Sequence, residues 1–156
     1  MEARAKLFGH SIHQMLIVFP LGLLGTGVVF DLVFLSQGEQ LFAAVAYWMM
    51  IAGIVGGLIA APFGLIDWLG VPRGTRARSV GAIHGLGNVI VLTLFAASVL
   101  LRGSETAAPT NGAYACSFLG LLLALFTGWL GGELVTRFGI GVHEGASVDA
   151  PGLKPR

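Results

Sequence analysis

Charge is what this sequence has least of. Only 11% of its residues are Asp, Glu, Lys or Arg, where a soluble domain carries about 25%. That is too few to wet a surface of its own. The net charge of +1 comes with no basic stripe, which excludes a nucleic-acid partner. A single cysteine, Cys116, excludes an internal disulfide and any paired CxxC metal site. There is no Ser-His-Asp set, Walker loop or HExxH, so nothing points to a hydrolase. The opening Met-Glu-Ala-Arg-Ala-Lys precedes an apolar run, but that run is long, contains Pro20 and ends without a small-x-small cleavage site. It reads as a retained first span rather than a signal peptide.

What is abundant is apolar sequence, at 55% of residues and a mean hydropathy of +0.83. It is gathered into blocks of about 20 residues or more, the length that a hydrocarbon layer demands. Four spans follow, at 12–35, 41–69, 77–101 and 113–135. The apolar runs are continuous rather than alternating, so the spans are helices and not barrel strands. The expected fold is therefore all-α, an integral membrane four-helix bundle forming one domain over 1–138. Pro62 is expected to tilt or break the long second span. Residues 139–156, rich in Gly and Pro, are expected to form a flexible tail.

Basic residues in short loops set orientation. Arg4, Lys6, Arg73, Arg76, Arg78, Arg137, Lys154 and Arg156 share one side, and Arg102 stands alone on the other. Both termini are expected on the cytoplasmic side, N-in and C-in. The 24 glycines are about double ordinary usage. Gly53/Gly57, Gly81/Gly85 and Gly128/Gly132 have the spacing that lets helix backbones approach closely. They predict tight packing inside the bundle, or homo-oligomer contacts through Gly-rich faces. Gly81, Gly85 and Gly87 also clear room around His84 for a flat ligand.

Ionisable groups inside spans mark functional sites by default. His13 and Asp67 lie at the cytoplasmic ends of spans one and two, and Glu133 near that end of span four. His84 lies six residues past Arg78, about 9 Å further in at 1.5 Å per residue. One such group per helix in a similar layer points to a polar site between helices. Asn88, at i+4 from His84, shares its face. His10, three residues before His13, shares a face with it if the helix runs that far, and His143 sits in the tail. Plainer roles compete: interhelical glue for His84, pairing with Arg137 for Glu133, an interfacial anchor for Asp67-Trp68. Asp31 lies 18 residues, five turns, beyond His13 and is expected to face Arg102 at the other end.

Imidazole suits Zn, Cu, Fe and Ni, and two histidines on facing helices suit a haem iron. The haem b expectation uses His13 and His84, with Asn88, Gly81 and Gly85 beside them, and needs no CxxCH attachment. The alternative, a Zn or Fe ion, draws on His10, His13, His84, Asp67 and Glu133. Three functions follow. The first is a small redox protein passing electrons to a partner protein or quinone. The second is a metal-ion transporter or sensor. The third is an assembly subunit with no cofactor, packing through its glycine faces.

The run Gly9-His10-Ser11-Ile12-His13-Gln14-Met15-Leu16-Ile17-Val18-Phe19-Pro20 resembles the opening of a bacterial membrane family, domain of unknown function 2231, whose members typically begin Gly-His-Pro-x-His-Pro. The resemblance continues through Phe30-Asp31, Asp67-Trp68, His84 with Asn88, and Thr127-Gly128-Trp129-Leu130-Gly131-Gly132. Ser11 and Gln14 stand where the family has prolines, which leaves these histidines free to be helical. The resemblance implies a four-helix protein of the bacterial inner membrane. Similar proteins joined to Rieske-type or other redox domains imply electron transfer.

Overall fold

The computed structural model describes residues 1–149; Lys154 and Arg156 fall outside them. A two-residue hairpin opens the chain, β1 (Lys6–Leu7) against β2 (His10–Ser11). Its turn places both Phe8 (φ 50°) and Gly9 (φ 85°) in the left-handed region, as tight hairpin turns require. One turn of helix, α1 (Ile12–Leu16), leads into α2 (Val18–Gln37). Pro20 has no N–H for the carbonyl of Leu16, and the helix is interrupted just there, at Ile17. Three long helices complete the chain: α3 (Gln40–Gly70), α4 (Arg76–Arg102) and α5 (Asn111–Thr136). α3 runs unbroken through Pro62. Thr75 and Thr110 start α4 and α5 by accepting the amides of Arg78 and Ala113, and Gly38 ends α2 at φ 74°.

Four segments have the length and apolarity to cross a membrane: Ile12–Gln37, Gln40–Gly70, Arg76–Arg102 and Asn111–Thr136. Long side chains such as Leu86, Leu100 and Leu122 point outward, where lipid meets them. The centre holds Leu24, Val28, Met50, Val91, Phe95 and Ala124, with small residues letting the backbones close. α2 packs along α3 and α4 along α5, giving two helical hairpins, joined mainly where α3 meets α4. The start of the tail, Gly139 to Gly141, is hydrogen-bonded to the N-terminal segment. The Met1 ammonium donates to the carbonyl of Gly139, the amide of Gly141 to Met1, and Gln14 Nε2 to Ile140. Both ends of the helical region therefore lie at one end of the bundle.

The two hairpins repeat one another. Leu24 fills the space over Gly53 in the first, and Phe95 fills that over Gly120 in the second. Gly27 lies against the carbonyl of Ala46, and Ser98 donates to the carbonyl of Ala113 at 2.7 Å. Tyr47 recurs as Tyr114. Residues of α1 and α2 thus recur 71 positions on, and those of α3 recur 67 positions on. Equivalent residues that meet lie on the axis relating the halves. Two such pairs do: His13 with His84 at one end, Asp31 with Arg102 at the other.

Candidate functional site

The site at the terminus-bearing end grows out of this repetition. His13 projects from α1 against α3, where its Nδ1–H donates to the carbonyl of Ala60 at 3.0 Å. A Cβ on Gly64, one turn further along α3, would fall within 3 Å of the ring. His84 projects from α4 against α5, where its Nδ1–H donates to the carbonyl of Thr127 at 2.8 Å. Gly131, again one turn on, lies under that ring, with its Cβ position 3.1 Å from Cε1. Each imidazole is thus anchored by a backbone carbonyl and seated on a glycine four residues later. A carbonyl only accepts, so Nδ1 carries the proton in both rings and Nε2 carries the lone pair. The ring centres lie 6.5 Å apart with planes at 87°.

The two environments differ in one respect. Asn88 Nδ2 donates to His84 Nε2 at 3.1 Å, and Thr127 Oγ1 donates to Asn88 Oδ1 at 2.9 Å. The positions equivalent to Asn88 and Thr127 in the first hairpin are Ile17 and Ala60, which offer no such groups. Among the described residues nothing bonds to His13 Nε2.

The structure brings together His13, His84 and Asn88 from the expected set, but not the rest. Asp67, 8% exposed, is committed to the N-terminal hairpin: its carboxylate accepts the amides of Arg4 and Ala5 at 2.7 and 2.9 Å and the hydroxyl of Ser11 at 3.4 Å. Glu133 pairs with Arg137. His10 is on β2, not on a helix with His13, and lines a separate cavity of about 350 Å³ on the aqueous side with Gln14 and His143. Among the described residues no three of His, Cys, Asp and Glu gather to hold a metal ion. Gly81 makes room for the Trp68 ring rather than for a ligand, and the space beside Gly85 is open. Trp68 anchors the α3–α4 turn, donating its indole N–H to the Arg78 carbonyl under the Arg78 guanidinium.

Sequence reading missed Ala60 and Gly64, and gave no role to Thr127 and Gly131. The anchoring atoms of Ala60 and Thr127 are backbone carbonyls, which residue type does not reveal. The usable signal was the repeated Ile-His of Ile12-His13 and Ile83-His84, with Gly64 and Gly131 at matching positions.

At the opposite end Arg102 forks onto Asp31, Nη1 to Oδ1 at 2.7 Å and Nη2 to Oδ2 at 2.5 Å. Ser117 Oγ adds a bond to the carboxylate at 3.2 Å, and Ser98 lies 3.4 Å from the guanidinium. The pair is essentially dry, Asp31 being 0% and Arg102 4% exposed. Outside the spans, the Lys6 ammonium bonded to Glu2 holds that carboxyl below its usual range, and His143 lies 3.4 Å from it.

These features define a class: a multi-pass, all-α membrane protein of two like helical hairpins, with a polar site on the axis between them. The chain belongs to the membrane family described as "Predicted membrane protein (DUF2231)", whose model matches residues 9–144. No curated protein and no solved structure matches it.

Proposed function

We propose that this chain is a small membrane electron carrier that holds haem b between His13 and His84. The supporting observation is the pairing of two equivalent imidazoles, each with Nδ1 tied to a helix carbonyl so that Nε2 is the ligand nitrogen. Such outer partners fix the tautomer and orientation of iron-binding histidines. His13 and His84, with ring centres 6.5 Å apart, would be the two residues to hold the iron. Two protein ligands would suffice for a haem, whereas a bare ion asks for three or four. That ligand count favours haem over a Zn or Fe ion, and hence over a metal transporter or sensor. Bound haem b supplies a one-electron iron couple, exchanged with a partner protein or a quinone. The chain's own part is to fix the two rings and to carry the site at the end bearing both termini. The excess of Arg and Lys at that end orients it to the cytoplasmic face of a bacterial inner membrane.

The test is a pair of visible spectra, oxidised and dithionite-reduced, on protein purified in detergent from haem-replete cells. A Soret band and a reduced α-band are expected, lost in both His13→Ala and His84→Ala. A colourless wild type that takes up no added haem overturns the reading, and stoichiometric zinc or iron by elemental analysis redirects it to a bare ion.

A further inference from the structure

We infer that Asn88, steered by Thr127, is a removable cap on the iron-binding nitrogen of His84, so that one half of the site is kept closed while the other stands open. The inference rests on the haem reading above and concerns how that site is filled. Its basis is the break in the repeat. Both imidazoles present Nε2 as an acceptor, because both Nδ1 protons are given to carbonyls. A lone pair partly withdrawn from water is best satisfied by a donor. At His84 the donor is Asn88 Nδ2, at 3.1 Å. Thr127 Oγ1, at 2.9 Å from Asn88 Oδ1, fixes which end of the amide faces the ring. At His13 the equivalent residues are Ile17 and Ala60, and among the described residues no cap exists.

An imidazole nitrogen has one lone pair, so iron and the Asn88 amide exclude each other. Binding therefore proceeds from the open side. His13 would be the first residue free to hold the iron, and His84 would join it once the Asn88 amide has swung away. Thr127 serves both states, since its carbonyl keeps the His84 ring in place whether its hydroxyl holds Asn88 or turns back to the carbonyl of Ala124, 3.1 Å away. Asn88 and Thr127 are thus positioning residues, and removing them tightens the site rather than weakening it.

Asn88→Ile, which copies the His13 side, is expected to bind ferric haem about 10-fold more tightly, the worth of one hydrogen bond and the stranded lone pair. Thr127→Val keeps the carbonyl and the side-chain shape, frees the amide, and moves affinity the same way by less. A second readout needs no haem: carbethoxylation of the apoprotein by diethyl pyrocarbonate, followed residue by residue by mass spectrometry. His84 is expected to react several-fold faster in both variants, with His13 as the unchanged internal reference. Unchanged His84 reactivity with unchanged or weaker haem binding overturns the cap. If wild type and variants all refuse haem while His84 reactivity still rises, the cap stands and the haem reading falls.

Discussion

Asp31 and Arg102 carry full charges out of reach of water, a placement that strands either partner if the other is lost. Asp31→Asn or Arg102→Met is expected to lower stability by about 3–5 kcal/mol, measured as unfolding in mixed detergent micelles. The paired Asp31→Leu, Arg102→Met variant is expected to recover most of that loss, since an apolar pair of similar volume removes the need for compensation. The partnership was legible in sequence, because Asp31 stands five turns beyond His13 and only one basic residue lies on that side. The contributions of Ser98 and Ser117 were not. A serine in a span reads equally well as a small residue for close packing, and only the fold shows its hydroxyl aimed at the ion pair.

Helices here are told apart by what sits on their glycines. Gly53, Gly57, Gly120 and Gly131 each receive a side chain from a neighbouring helix, namely Leu24, Leu92, Phe95 and His84, whereas a Cβ on Gly85, Gly128 or Gly132 would meet nothing within 4 Å. Sequence spacing treats these alike, since it cannot say which face of a helix meets a partner. Gly131→Ala is therefore expected to push the His84 ring off its carbonyl and cut haem uptake, read from the Soret absorbance per protein. Gly85→Ala leaves uptake unchanged and changes stability by less than about 1 kcal/mol. The four spans themselves were plain from hydropathy. The N-terminal hairpin was not, for two reasons: its strands are two residues long, and its turn holds Phe8 at positive φ, where a bulky residue is seldom found.

At the scale of the whole molecule, the internal repeat went unread because the halves share few identical residues and equivalent positions on the two helices of the second hairpin lie four residues closer along the chain. Geometry makes it visible, since His13 pairs with His84 and Asp31 with Arg102 at one constant separation along the chain. Those two cross-links do more than stabilise. Contacts at both ends of the bundle, added to the packing of α3 on α4, fix the mutual rotation of the hairpins. It follows that the covalent link over Pro72–Thr75 is dispensable for assembly. Fragments 1–73 and 74–156, produced together, are expected to copurify, and Asp31→Asn to release one from the other. The chain is in effect a tethered pair of near-twins, free to specialise one twin's histidine without disturbing the other's.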